Sequence, residues 1–400
     1  MKKLAVLGST GSIGHSTLSL CESFPDRYRP VALAAGRNID DVFDQCLRWR
    51  PSVVSLATEE LAAQLHSRLV AAGVLSTEVV HGTAGTVRCA TLQEVDFVVS
   101  AIVGVAGLEA TYAAVLAGKT VGLANKECLV AAGELILAAS RAHGVDLLPI
   151  DSEHNAVHQC MRGGARCEVK QVWLTASGGP FRNTPLADFD RITPQQALKH
   201  PTWVMGQRIT IDSATMMNKG FEVIEACRLF DLPPEQVRVT VHPQSTVHSL
   251  VEFIDGSILA QISVTDMRLP ILYALAYPER PGAPRETPTA PSLSFDLAQL
   301  SRLDFQQPDF ERFPCLRLAY EAAATSQAHC IALNAADEVA VDAFLKGRIP
   351  FLGIPRTIEQ VLADTVSGSP ASVQEVLAAD RATRLQAEAV VGHQAESVRA

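Results

Sequence analysis

The stretch Leu4-Ala5-Val6-Leu7-Gly8-Ser9-Thr10-Gly11-Ser12-Ile13-Gly14 decides the fold. Its apolar start reads as a short strand and a helical pattern follows Gly14. The glycines between them let backbone N–H groups reach a pyrophosphate at the positive end of that helix. The spacing is Gly-x-x-Gly-x-x-Gly instead of the commoner Gly-x-Gly-x-x-Gly, and a plain structural turn would use the same residues. Further apolar runs at Val31 to Ala35, Val53 to Leu56, Phe97 to Val103, Val121 to Ala124 and Val145 to Ile150 alternate with helical patterns. That alternation predicts an α/β architecture, a Rossmann-like doubly wound parallel sheet, over residues 1–150.

The end of the next strand indicates which dinucleotide. Where an NAD enzyme sets an acid against the ribose hydroxyls, this chain has Gly36-Arg37-Asn38, and an arginine pairs instead with a 2′-phosphate. The spacing therefore predicts NADP. Asp40 and Asp41 lie close by and read as N-cap residues of the following helix.

From Asp151 the texture changes to longer runs, Val169 to Ala176, Val237 to Val241 and Ile258 to Val264, mixed with turns. They predict a second α/β region, 151–280, with a more antiparallel sheet. Pro281, Pro284, Pro288 and Pro291 break regular structure and predict a linker over 281–312. Helical periodicity then dominates 313–400, as in Leu316 to Ala324 and Ala335 to Leu345, and predicts a C-terminal helical domain. The 400 residues, 48% of them hydrophobic, form more than one core, and the net charge of -9 excludes a broad nucleic-acid surface. No long apolar segment marks a signal peptide or a membrane span. Nine cysteines without a Cys-x-x-Cys pair predict reduced, mainly buried thiols, and the expectation is a cytoplasmic protein.

Asp151-Ser152-Glu153-His154-Asn155 arrives where the run Val145 to Ile150 ends. Strand periodicity would point Asp151 and Glu153 the same way at a sheet's carboxyl edge, suited to holding a divalent cation through oxygen. A polar loop leading into a helix N-cap accounts for the same residues. Such a cation needs a third hard donor, for which Glu222 and Glu225 are both available. Lys126 ends another strand at the same edge. Ser213, Asn218 and Lys219, with Ser177-Gly178-Gly179-Pro180, provide the hydroxyls, amide, cation and exposed N–H groups that suit a phosphate monoester. Lys199 to Gly206, carrying His200, Trp203 and Met205, has the composition of a lid. His242 and His248 read more readily as structural residues than as substrate contacts. No Ser-His-Asp or Cys-His arrangement supports nucleophilic hydrolysis.

These motifs, GSTGSIG at Gly8, AGRN at Ala35, LANKE at Leu123, DSEHNA at Asp151, ASGGPFR at Ala176, HPTWVMG at His200, DSATMMNKGFE at Asp212, HPQSTVHS at His242 and LNAADE at Leu333, closely resemble the 1-deoxy-D-xylulose 5-phosphate reductoisomerase family. The resemblance runs in order to about residue 350. It implies rearrangement of 1-deoxy-D-xylulose 5-phosphate and reduction by NADPH to 2-C-methyl-D-erythritol 4-phosphate, the committed step of non-mevalonate isoprenoid synthesis. It further implies that Asp151, Glu153 and Glu222 hold Mn2+, Mg2+ or Co2+, and that Ser152 and Lys126 position substrate hydroxyls. Ser177, Ser213, Asn218 and Lys219 would bind the phosphate, His200 and Trp203 would sit on the lid, and Met205 would lie on the nicotinamide side. Gly8, Thr10, Gly11, Ser12, Ile13, Gly36, Arg37, Asn38, Asn125, Glu127 and Gly206 would line the cofactor. The implied organisation is a homodimer with an N-terminal NADPH domain, a central catalytic domain and a C-terminal bundle. Cys128, Asp337 and Thr246 depart from the family's common serine, asparagine and aliphatic residue. The competing readings are another NADP-dependent dehydrogenase of a sugar or semialdehyde phosphate, which needs no third acid, and a non-catalytic NADPH sensor.

Overall fold

A computed structural model describes residues 1–203, 205–284 and 291–399, with side chains to 396. Strands β1 (Lys2–Leu7), β2 (Tyr28–Ala34), β3 (Val53–Leu56), β4 (Glu78–His81), β5 (Phe97–Ser100), β6 (Thr120–Leu123) and β7 (Leu147–Pro149) form one parallel sheet in the order β4-β3-β2-β1-β5-β6-β7. Helices α1 (Ser12–Ser23), α2 (Ile39–Trp49), α3 (Glu59–Ala71), α4 (Gly82–Ala90), α5 (Leu108–Leu116) and α6 (Lys126–His143) connect successive strands. Strands β3 and β5 are buried at every position, as expected of a sheet covered on both faces. The six expected strands are all present. The seventh, β4, is a half-exposed edge strand whose Glu78 and His81 interrupt the apolar signal.

Strand order reverses at β1, which pairs in parallel with β2 on one side and β5 on the other. The crevice beyond the carboxyl ends of β1 and β5 is the usual ligand position in such sheets. Gly8 occupies that point with φ +90°, and a Cβ there would stand 2.6 Å from the Ala101 carbonyl oxygen, so only glycine fits.

The second region holds α7 (Ser152–Met161), β8 (Val169–Ala176), α8 (Pro194–Ala197), α9 (Gln207–Thr215), α10 (Met217–Leu229), β9 (Val237–Val241), β10 (Val247–Phe253) and β11 (Ile258–Ile262). Its sheet runs β11-β10-β8-β9, with β10 antiparallel to both neighbours and β8 parallel to β9. The sheet is therefore mixed, and β10, which the apolar runs did not single out, is its antiparallel element. Helices α11 (Arg268–Ala276), α12 (Pro314–Thr325), α13 (Gln327–Leu345), α14 (Gly353–Ala363) and α15 (Val373–Arg399) complete the chain.

Two compact units result, and they are not contiguous in sequence. The first comprises Met1–Cys128, Ile136–Asn155 and Asp266–Ser294, and the second Leu129–Leu135, Ala156–Thr265 and the chain from Phe295. Helix α11 thus packs with the parallel sheet, because Ile271, Leu272, Ala274 and Leu275 join the core of Leu4, Val6, Phe97 and Ile150. The 281–312 stretch contains, among the described residues, a 3-10 turn at Leu297–Gln299 and a bridge from Gln306 to Val241, while 285–290 with Pro288 lie outside the described residues. In the second unit, α10, α12, α13 and α14 share one apolar core with the mixed sheet. Within α6 the backbone breaks helical geometry at Ala132, and the Gln327 side-chain amide donates to Val130 O at 2.7 Å and Ala131 O at 2.9 Å. Those bonds replace ladder partners the break would disturb. Among the described residues no helix is long and apolar enough to cross a membrane.

Gly122 lies at the middle of β6 against Phe97, and an added Cβ would come within 2.7 Å of that ring and 2.9 Å of Ile150 Cδ1. Gly122→Ala should destabilise the first unit by about 1–3 kcal/mol through overpacking. A thermal melt that matches the parent would refute the tight fit.

Candidate functional site

The glycine loop is built on backbone bonds. The Gly8 and Ser9 amides donate to the Ala34 carbonyl at 2.8 and 2.9 Å, tying the loop to β2, and Gly11 N donates to Gly8 O at 3.0 Å. A Cβ on Gly14 would stand 2.4 Å from the carbonyl oxygens of both Gly8 and Ser9, so α1 crosses the loop more closely than alanine permits. Gly11 is the N-cap of α1 and no side chain caps the first turn. The turn at Ser12 and Ile13 is thus suited to an anionic ligand.

Beyond β2, Gly36, Arg37 and Asn38 are exposed. The Arg37 guanidinium makes no hydrogen bond or ion pair among the described residues. The acids beside it are engaged elsewhere: Asp40 with Arg68 at 2.7 Å and Asp41 with His15 at 2.9 Å. The N-cap of α2 is Asn38, whose Oδ1 accepts from Asp41 N at 3.3 Å, and not either aspartate, which instead sit in the helix's first turn. Arg37 remains as a charge facing solvent beyond the end of β2.

Asn125 caps α6, accepting from Cys128 N at 3.2 Å and donating to the Ile102 carbonyl and to Gly104 O at 2.8 Å. Its side chain therefore shapes the loop after β5. Lys126 and Glu127 open α6, and Lys126, 6% exposed, puts Nζ 2.8 Å from Asp151 Oδ2. Strand periodicity does not relate Asp151 to Glu153, because β7 stops at Pro149 and α7 starts at Ser152. Asp151 is instead the cap: Oδ1 accepts from Glu153 N at 3.1 Å and His154 N at 3.4 Å. The His154 ring Nδ1 lies 3.0 Å from the same oxygen. Glu153 follows in the first turn, where Ser152 Oγ donates to its Oε2 at 2.7 Å. Cap and cation reading are compatible, since capping fixes the carboxylate's direction. His154 is fully buried and sequence reasoning missed it; its signal was the three-residue step from a capping aspartate.

In the second unit, Gly178 and Gly179 follow β8 with φ +79° and +64°, and a Cβ on Gly179 would meet Ser213 O at 2.6 Å. The loop bearing Ser177 thereby packs on the end of α9 that bears Ser213. Met216, with φ +62°, turns the chain from α9 into α10. On α10 the buried Glu222 carboxylate accepts from Asn218 Nδ2 at 2.6 Å and from Lys219 Nζ. Glu225, one turn further on, is also fully buried.

Ser177 Oγ lies 3.1 Å from His200 Nε2 and accepts from Gly179 N at 3.2 Å. His200 Nδ1 accepts from Thr202 N at 3.2 Å and Trp203 N at 2.9 Å, so the ring proton sits on Nε2 and is donated to Ser177. Burial pulls the His200 imidazole below its ordinary value, consistent with a neutral ring. The Ser177 hydroxyl proton is then directed to a further acceptor. Trp203 and Met205 are half-buried, Gly206 caps α9, and Val204 lies outside the described residues. The Trp203 ring meets His248 edge-on, with centroids 6.4 Å apart. His242 is structural: it stacks on Phe305 and its Nε2 accepts from Thr246 N and Val247 N. All nine cysteines are free, with Cys167 exposed and seven of the others buried.

A dinucleotide-type loop on a doubly wound sheet, with a second unit carrying a polar strip, defines the class of NAD(P)-dependent oxidoreductases. Comparison with known proteins narrows it. The model of "1-deoxy-D-xylulose 5-phosphate reductoisomerase" matches residues 4–133, and those of its C-terminal domains match 147–230 and 262–386. The 1-deoxy-D-xylulose 5-phosphate reductoisomerases of Solibacter usitatus and Methylococcus capsulatus are 52% and 51% identical. The alignments cover 96% of this chain and 96% of the first relative, and 97% and 98% for the second. The crystal structure of DOX-P reductoisomerase in complex with NADPH, fosmidomycin and magnesium superposes with a TM-score of 0.90 at 41% identity, covering 98% of both chains. The Zymomonas mobilis enzyme in complex with NADPH gives 0.89 at 46%, covering 98% of this chain and 99% of that one. The chain belongs to the 1-deoxy-D-xylulose 5-phosphate reductoisomerase family.

A neutral His200 contributes stability that is present above its ordinary value of 6.5 and lost as pH falls through its lowered folded value. His200→Gln should remove this component. Acid-side melting curves of parent and variant that fall in parallel would contradict the buried, neutral ring.

Proposed function

We propose that this chain rearranges 1-deoxy-D-xylulose 5-phosphate and reduces the product with NADPH to 2-C-methyl-D-erythritol 4-phosphate, using a divalent cation. The single observation that carries the reading is the Asp151 carboxylate, oriented by the first amides of α7 and by Lys126. The solved relative that holds NADPH, fosmidomycin and magnesium supports the same ligand classes here.

The donor chemistry fits Mg2+ or Mn2+: Asp151, Glu153 and Glu222 are hard oxygen donors. Glu225 is the alternative third carboxylate. When bound, the cation supplies Lewis-acid polarisation of the substrate carbonyl, and NADPH supplies the reducing equivalent. The chain's own groups do the rest. The amides at Ser12 and Ile13 hold the pyrophosphate, with Gly8, Thr10 and Gly11 shaping the loop, while Arg37 pairs with the 2′-phosphate. Lys126 and Ser152 orient substrate hydroxyls. Ser177, Ser213, Asn218 and Lys219 bind the phosphate, and His200 with Trp203 and Met205 covers it and excludes water. In domain terms, the first unit binds NADPH and contributes Lys126, Asp151, Ser152 and Glu153, while the second carries the phosphate-binding residues with the C-terminal helices as its support.

A homodimer is part of this proposal. The edge strand β11 exposes Ile258, Leu259 and Ile262, and Ile254 beside it is 69% exposed. Such an edge is normally covered, here by a second copy. Nine free cysteines suit a reducing cytoplasm.

Activity should require a divalent cation, and Asp151→Asn, Glu153→Gln and Glu222→Gln should each abolish most of it, with Glu225→Gln milder. Retention of metal-dependent turnover by Glu222→Gln together with its loss in Glu225→Gln would favour Glu225 as the third ligand. For the cofactor, Arg37→Ala should raise KM for NADPH about tenfold or more and leave KM for NADH nearly unchanged. Equal changes for the two cofactors would exclude a 2′-phosphate contact.

A further inference from the structure

Behind the phosphate strip lies a buried charged cluster that the mechanism does not use. Asp337 on α13 is 0% exposed, and neither of its carboxylate oxygens accepts a hydrogen bond among the described residues. Arg208 on α9 is the nearest cation, but its close bonds go to Glu338 Oε1 at 2.6 Å and Asn334 Oδ1 at 3.0 Å. It reaches Asp337 Oδ2 only at 3.6 Å and Asp212 Oδ2 at 3.7 Å. The other titratable groups facing Asp337 are Asp212 on α9, within hydrogen-bonding reach, Glu338 on its own helix and Cys315 on α12. Glu338 is held from its far side by Arg384 of α15. Two buried carboxyl groups within hydrogen-bonding reach of each other, one of them without a donor and 3.6 Å from its guanidinium, cannot both be anions at low cost. One proton between them turns two mutually repelling acceptors into a donor and an acceptor.

We infer that Asp337 works as a neutral carboxylic acid donating its proton to Asp212, and that this shared proton positions α9, the helix running from the lid segment at Gly206 to Ser213. The role of α9 rests on the substrate reading given above; the protonation does not. Burial, reinforced by the Asp212 carboxylate, pushes the Asp337 carboxyl well above the ordinary carboxylate range. The sign follows. The stabilisation is fully present below the ordinary value of 3.8 and is lost as pH rises through the raised folded value. Asp337→Asn keeps shape and donor without titrating.

The test follows thermal and denaturant unfolding of parent and Asp337→Asn from about pH 5 to about pH 9. The parent should lose ground to the variant as pH rises, by up to about tenfold in folding equilibrium per pH unit. An infrared difference spectrum, parent minus variant, should show a protonated carboxyl band at neutral pH. Should Asp337→Asn fail to fold, Asp212→Asn replaces it: Asp337 stays a neutral acid through its burial but loses its carboxylate acceptor, so its carboxyl band should shift in frequency, and an unshifted band overturns the shared proton. Parallel unfolding curves, or the absence of the band, overturn the neutral acid. For the positioning role, KM for the phosphorylated substrate should rise at alkaline pH in the parent and stay flat in Asp337→Asn. Coincident KM curves overturn that role. A failure of the substrate reading itself would show separately, as an unchanged KM in Ser213→Ala and Asn218→Ala.

Discussion

The carboxylate of Asp151 is the interaction on which the first unit's polar edge depends. One oxygen takes the first amides of α7 and the His154 ring, and the other takes Lys126 from the first turn of α6. A single side chain therefore ends β7, starts α7 and fixes the lysine that opens the preceding helix. The positive end of α7 favours an anion there, so the carboxylate is held by a dipole as well as by hydrogen bonds. Asn155 completes the joint, donating to Pro149 O at 2.8 Å and Pro270 O at 3.2 Å, which ties the start of α7 to both β7 and α11. The direction of Asp151 is thus set before any ligand arrives, and the geometric requirement of a cation is met by structural bonds.

The second unit uses the same economy with different parts. Two adjacent left-handed glycines bring Ser177 against α9, and a left-handed Met216 turns α9 into α10. The strained turn at Met216 is tolerated because both flanking helices are buried over most of their length. Glu222 and Lys219 then face each other three residues apart on α10. As a contribution to stability such a buried pair is weak, because desolvation of both charges offsets most of their attraction. Its location beside Asn218 and near Ser213 is better explained by chemistry than by folding.

The parallel sheet was legible because each of its core strands is a nearly unbroken apolar run closed by a turn residue. What escaped was the edge. Polar ends hide β4, and β10 buries the polar His248 and Ser249 while Leu250 and Glu252 are only half-buried, so its sequence does not alternate with its burial. The division of the chain into contiguous segments missed the return of α11 to the first core, since a helix buried at eight positions gives no periodic clue to its partner. At the site, residue types were readable but local geometry was not. Asp151 and Glu153 were related by a strand period that does not exist there, because a capping aspartate and a strand-end aspartate look alike in sequence. His154 passed as an ordinary helix residue and Asp337 only as a departure from a common asparagine; burial reveals that the first shares its neighbour's carboxylate and that the second lacks a donor.

Burial alone does not decide what a carboxyl group does in this protein. Glu222 and Asp337 are both sealed from solvent on helices of the second unit. Glu222 is given two donors, Asn218 and Lys219, within its own helical turn. Asp337 is given none, and the nearest guanidinium is already committed to Glu338 and Asn334. The first arrangement keeps a charge in the interior by bringing its counter-charge along, at the expense of desolvating both. The second removes the charge and converts the acid into a donor. Lys126 with Asp151 follows the first pattern at the sheet edge. Every carboxylate proposed for the cation sits where hydrogen-bond donors direct it, whereas the acid left without a donor lies on α13 against Asp212 of α9, where its one proton joins two helices.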